Sequence, residues 1–230
     1  MVLASFHLIR YPTGVAARRL PLVPLDRRAL RARSGARFVK LLGTGRGQQL
    51  ARSADLRRWA VFATWPDRVG LESFLASSLT EPWDEAEERY DVVLDPIGAH
   101  GSWDGVDPIA GTTGEPGSGP IAVLTRAMVR WRRVPTFLRA VPAVDDATAS
   151  AGGLLAAAGI GELPVGRQAT FSLWRDEAAV RDFAYREPRH AEVIERARDE
   201  GWYGEEWFAR FRPVESSGTW DGIDPLGSGP

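Results

Sequence analysis

The stretch "PRHAEVIERARDEGWYGEEWF", residues 188–208, carries one of the three histidines in this 230-residue chain. Read as a helix, it sets His190 on one stripe with Val193, Ile194 and Ala197, with Arg189, Glu192, Arg196 and Asp199 on the other side. An imidazole on an apolar stripe is either a core group held by a hydrogen bond, or a group that binds a metal or moves a proton. Two cations pose a similar question: Lys40 in "FVKLLGTG" and Arg126 in "LTRAMVR" each interrupt an apolar strand sequence. Either such a charge points to solvent, or it must meet a carboxylate or an anionic ligand, because a buried unpaired charge is costly.

Other chemistries drop out. The chain has no cysteine, which excludes disulfides, thiolate nucleophiles and iron–sulfur ligation. No HExxH pair exists, and three scattered histidines do not resemble a zinc site. "GTGRG", residues 43–47, does not lead into a helix as a phosphate cradle would. Glu205 and Glu206 read as part of an exposed charged helix face over 195–206. No Ser-His-Asp arrangement stands out, and His7 and His100 read as incidental. Net charge is −1, with 44% hydrophobic and 26% charged residues, so no global field draws the chain to nucleic acid. The basic clusters Arg27–Arg37 and Arg130–Arg133 read as solvated helix faces. No signal peptide and no apolar run of about 18 residues is visible, so a cytoplasmic protein without a transmembrane segment is expected.

The elements that must position these residues come in two copies. "GSWDGVDPI" at 101–109 returns as "GTWDGIDPL" at 218–226, and "WAVFATW" at 59–65 returns as "QATFSLW" at 168–174. "VLASFHLIR" at 2–10 is matched by "AVLTRAMVR" at 122–130, and "LLGTG" at 41–45 by "AAGIG" at 157–161. Residues 1–110 form the first repeat, 111–120 a Gly/Pro/Ser/Thr linker, and 121–230 the second repeat. Each copy reads β-α-β-β-α-β, the ferredoxin-like order. The expected fold class is therefore α+β, with tandem ferredoxin-like repeats forming a pseudo-symmetric dimeric α+β barrel within one chain. In the first copy, strands are expected at 2–9, 36–42, 59–65 and over "YDVVLDPI". Helices are expected over 14–34 (interrupted by Pro21 and Pro24), over "DRVGLESFLASSL" with Asp67 as N-cap, and over 82–89. The second copy is expected to repeat this, with helices near 132–150, 176–186 and 188–200 and strands at 121–129, 153–158, 168–174 and 207–214.

Duplication supplies an internal control. Trp65/Trp174, Phe74/Phe183 and Trp103/Trp220 occur in both copies and read as scaffold. His190 falls opposite "SSLTEPWDE", which has no histidine, and the second copy is about eight residues longer there. Arg126, matched to Phe6, is also unique to its copy.

The segments "LTRAMVR", "FAYREPRHAEVIERARDEGWYGEEWFARFRP" and "GTWDGIDPL", with "FVKLLGTG" and "FATWPD", resemble the spheroidene monooxygenase family of carotenoid-modifying proteins. That resemblance implies a haem-dependent monooxygenase with dioxygen as co-substrate and a small apolar organic substrate. It implies His190 as the axial iron ligand and Lys40, Arg126 and Arg210 as candidates to meet the haem propionates. An electron-transfer partner is implied, and a monomer or homodimer is expected. A haem- or lipid-binding barrel without turnover, and a cofactor-free barrel oxygenase with His190 as base, are the competing readings.

Overall fold

The computed structural model of the chain describes residues 2–46, 49–115, 117–140, 151–162, 166–186 and 188–227; the side chains of 46–53, 185–192 and 194 are outside that description. The first copy runs β1 (Leu3–Arg10), α1 (Thr13–Arg19), α2 (Val23–Arg33), β2 (Phe38–Arg46), β3 (Gln49–Trp65), α3 (Arg68–Leu75) and β4 (Glu88–Gly101). The second runs β5 (Ile121–Val129), α4 (134–140), β6 (Leu154–Gly161), β7 (Arg167–Trp174), α5 (Glu177–Arg186), α6 (Pro188–Asp199) and β8 (Tyr203–Gly218).

Local chemistry explains the breaks. Pro21 and Pro24 lack backbone donors, so the basic segment splits into α1, a 3-10 turn at Leu20–Leu22, and α2. Asp67 caps α3 by accepting a hydrogen bond from the Gly70 amide at 2.9 Å.

Eight antiparallel strands close a barrel in the order β1-β3-β2-β6-β7-β5-β8-β4. Each copy contributes four neighbouring strands in the same order, β4-β1-β3-β2 and β8-β5-β7-β6, which is the expected fold class. The two seams differ. β4 and β8 pair from Tyr90↔Gly218 to Gly101↔Trp207, whereas among the described residues β2 and β6 meet only at Gly43↔Gly161 and Thr44↔Ile160.

The scaffold pairs repeat in space. Trp65 packs on Phe74 at 4.9 Å and 34°, and Trp174 on Phe183 at 5.1 Å and 34°. After β4 and β8 the chain makes the same turn twice, closed by the bridges Trp103↔Val106 and Trp220↔Ile223. Asp104 and Asp221 take φ of 55° and 53° there. Gly101 and Gly218 enter the turns at φ 86° and 83°, where a Cβ would collide with the carbonyl oxygens of Glu206 and Arg89.

Both turns return a tryptophan to the barrel interior. Trp103 stacks on Phe62 at 5.9 Å and 1°, and Trp220 lies 6.3 Å from both Phe6 and Phe171. Phe6 and Phe171 stack across the copies at 3.8 Å. The interior is thus a filled aromatic core.

Four expectations are corrected. β2 continues past Gly43 and Gly45, which mark register shifts rather than the strand's end. Residues 82–89 hold only a 3-10 turn, Glu81–Glu85, before β4 begins. β8 begins at Tyr203, so Glu205 and Glu206 lie on a strand and face opposite sides. Arg126 matches Leu8 rather than Phe6: Phe6 pairs with Phe62, and it is Leu124 that pairs with the equivalent Phe171. Of the helix expected near 132–150, residues 141–150 lie outside the described residues. Among the described residues, no helix is long and apolar enough to cross a membrane.

Candidate functional site

Alternation along the strands sorts the candidate residues onto two faces. Lys40 and Arg126 turn inward, where they are 6% and 2% exposed. They converge on the Trp103 turn. Lys40 Nζ pairs with Asp104 and lies 2.9 Å from Glu162 Oε1; Arg126 pairs with Glu205 and lies 3.7 Å from Asp104. Arg167 joins them at 3.0 Å from Glu162 and 3.5 Å from Asp104. Trp103 Nε1 donates to Glu162 at 2.6 Å, and both cations lie 5.7 Å from its ring centre. Burial alone would raise the Glu162 carboxyl, but the Trp103 and Lys40 donors outweigh it and hold it at about 2. Glu205 is likewise held at about 2: burial opposes, and the Gly105 amide, Arg126 and Ser102 prevail. Lys40 is met by Asp104 and Glu162, and Arg126 by Glu205 through Nη1, while Arg126 Nε and Nη2 are buried without a hydrogen-bond partner; the cluster closes one mouth of the barrel. Sequence reasoning found Lys40 and Arg126 but not Glu162 or Asp104, because nothing local marks which turn covers which strand.

The outer faces of the two half-barrels differ. In the first copy one cross-strand row reads Leu41, Val61, His7, Asp91. The equivalent row in the second copy reads Gly159, Thr170, Thr125, Phe208. The next positions follow the same trend: Ile9 becomes Ala127, and Val39 becomes Ala157. The first row is sealed under α3 and the Glu81–Glu85 turn, with His7 5.0 Å from Trp83. In the second copy Thr125 is exposed, and Thr170, Ala127, Ala157 and Phe208 are half-buried. Gly159, Thr125, Ala127 and Ala157 are smaller than their first-copy counterparts, Thr170 is close in size to Val61, and Phe208 is larger than Asp91; this strip of mostly small side chains on the outside of the second sheet is called the trough.

Three features border this trough. α5 packs Ala179 and Val180 with Trp174, Ile121 and Val123, and α6 packs against α5, so both helices lie on this side of the sheet. His190 is in the first turn of α6; its side chain lies outside the described residues. Arg210, half-buried on β8, stands at the trough's edge and lies 2.9 Å from Glu177 at the start of α5. His100, on β4, stacks on Phe208 at 5.2 Å and 27°. The structure thus brings Arg210 and the His190 helix to one side of the second sheet, apart from Lys40 and Arg126. Among the described residues, no cluster of three His, Asp or Glu side chains could hold a metal ion.

His7 has a defined place that the sequence did not signal. It is 1% exposed, with Nδ1 2.6 Å from Asp91 and Nε2 2.9 Å from Ser5 Oγ, which also accepts from Trp65 Nε1 at 2.9 Å. Arg89 lies 2.7 Å from the other Asp91 oxygen. Burial raises the Asp91 carboxyl, but His7 and Arg89 outweigh it and hold it below the usual carboxylate range. The set has the connectivity of a Ser-His-Asp triad, yet Ser5 is fully buried, so it is a satisfied polar network in the core beneath α3.

No family model matches the chain. It is 33% identical over 233 residues to spheroidene monooxygenase of Rhodobacter capsulatus, covering 99% of this chain and 97% of the relative. The same-named protein of Cereibacter sphaeroides is 34% identical over 84% of this chain and 60% of its own length. That of Rubrivivax gelatinosus is 35% identical over 82% of this chain and 73% of its own. Among solved structures, an aldoxime dehydratase superposes with a TM-score of 0.61 at 9% identity, covering 93% of this chain and 81% of that one. A second, in complex with butyraldoxime, superposes with a TM-score of 0.59 at 9% identity, over 93% and 80%. At that identity the likeness is one of fold.

Proposed function

The chain belongs to the spheroidene monooxygenase family, and we propose that it is a haem-dependent monooxygenase acting on an apolar substrate of the linear carotenoid class. The single observation that carries the haem part is the size trend on the outer sheet faces, where Gly159, Thr170, Thr125 and Ala127 stand in place of Leu41, Val61, His7 and Ile9. A flat, mostly apolar group needs a floor of small side chains, and the second sheet has one where the first has a packed core.

Two described features suit such a group: the floor of mostly small side chains and Arg210 at its edge. His190 would hold the iron from α6, since neutral imidazole is a common axial ligand. Arg210, at the trough's edge, would meet its carboxylates with a planar two-donor guanidinium. Haem, when bound, supplies the iron at which dioxygen is activated. The chain's part is to exclude bulk water and to offer an apolar surface. Phe208 presents that surface beside the floor, and the Thr125 and Thr170 hydroxyls are the polar groups within it. Lys40 and Arg126 act at a distance, by locking the barrel mouth through Asp104, Glu162 and Glu205.

The test is turnover with a linear carotenoid in detergent, an electron donor and isotopically heavy dioxygen. One heavy oxygen atom should appear in the product, and the other should leave as water with two electrons from the donor. Haem binding without incorporation would make the protein a carrier. Incorporation without haem would support the cofactor-free reading.

A further inference from the structure

We propose that the elbow between α1 and α2 docks the protein on the surface of an anionic lipid bilayer. The sequence there is "RRLPLVPLDRRALRAR", residues 18–33. Leu20, Leu22 and Leu25 are 38%, 42% and 62% exposed, and Pro21 and Pro24 between them are exposed as well. Single exposed leucines are ordinary, but three within six residues form a patch that water does not favour. The other large exposed apolar side chains, such as Leu56, Val69 and Val214, stand singly along the chain.

The fold forces this exposure. The two prolines break the helix, and the short 3-10 turn Leu20–Leu22 buries none of its residues. α2 turns only Leu30 fully into the core. The apolar tip therefore projects rather than packs.

Charge surrounds the tip. Residues 18–37 hold seven arginines and one acid, Asp26, in a chain of net charge −1. Asp26 is already taken by Arg19 at 2.8 Å, and Arg18 by Glu85 at 2.6 Å. Among the described residues, Arg28, Arg31, Arg33 and Arg37 have no ion-pair partner, and all four are exposed. Pro24, Arg27, Arg28, Arg31 and Ala32 line an open groove of about 400 Å³ beside the leucines. Leucines able to enter the acyl boundary, with unneutralised arginines at phosphate level, are the two components of reversible binding to anionic membrane. A nucleic acid would use the arginines but leave the leucines in water.

The inference goes beyond the proposed reaction and does not rest on it; an apolar substrate would simply be drawn from the same bilayer. The test is flotation of the purified full chain with phosphatidylcholine vesicles, with and without phosphatidylglycerol. Co-flotation is expected only with the anionic vesicles. The double variant Leu22→Ser/Leu25→Ser should weaken it by about tenfold or more, and Arg28→Gln by about fivefold. Both should keep wild-type circular dichroism and wild-type oxidation of detergent-solubilised substrate, so failed docking and failed catalysis read separately. Wild type that stays unbound to anionic vesicles would overturn the proposal. So would full binding by the leucine variant, or a stronger response to DNA than to vesicles, since either would leave a patch that reads charge alone.

Discussion

Thr125 lies directly across the sheet from Thr170, at the place where His7 lies across from Val61 in the other half of the barrel. The second pair is sealed beneath aromatic side chains; the first leaves Thr125 open. Two copies of one fold thus differ on a single face: one is packed as a core and the other is left partly open.

Filling the trough with bulky side chains should abolish the site while sparing the fold. Ala127→Ile and Thr125→Phe are expected to lower haem affinity by at least about tenfold, because each adds side-chain volume to the floor of a small-residue slot. The reciprocal change, Ile9→Ala, empties a core position that is 1% exposed. It should cost about 2–4 kcal/mol in denaturant unfolding and leave haem affinity unchanged. Haem titration and urea unfolding on the three variants check this.

The duplicated turns should fail alike. Gly101→Ala and Gly218→Ala each place a Cβ against a backbone carbonyl that cannot yield, at a φ that L side chains rarely adopt. Each is expected to destabilise by about 2–4 kcal/mol. A calorimetric scan should show similar drops in melting temperature for both.

The ionic plug gives a signed pH dependence. Glu162 titrates near 2 in the fold against an ordinary 4.5. Its contribution is therefore fully present above about pH 4.5 and is lost as pH falls toward 2. Glu162→Gln should remove on the order of 2 kcal/mol at neutral pH and make the stability profile shallower between those limits, the remaining slope coming from Glu205. Unfolding curves at stepped pH are the check.

His7 and His190 should separate stability from chemistry. His7→Leu strips Asp91 of one partner and leaves Ser5 with only Trp65. It is expected to cost about 2–3 kcal/mol without altering the absorption of the haem-loaded protein.

Much of this was legible from repetition. The paired motifs located both halves, and the scaffold reading of Trp65/Phe74 and Trp174/Phe183 is matched by near-identical ring geometry in each. What escaped the sequence was anything set by register. Arg126 aligns in sequence with Phe6, but hydrogen-bond pairing moves it to Leu8, and a two-residue shift of this kind keeps the face while changing which cross-strand neighbours are compared. Glu205 looked like part of a helical charge run; the strand begins earlier than its composition suggests, and alternation turns it inward to Arg126. The trough itself is invisible in either copy alone. Gly159, Thr170, Thr125 and Phe208 lie on four strands, and only their pairing makes them one surface.

The most direct test of the central claim is the visible absorption spectrum of the chain expressed with a haem precursor, compared with His190→Ala and Ala127→Ile. A Soret band in the wild type, lost or shifted in His190→Ala and weakened in Ala127→Ile, is the result this account predicts. A folded wild type with no Soret band would contradict it, and a band unchanged in both variants would place the haem elsewhere than the second sheet's outer face.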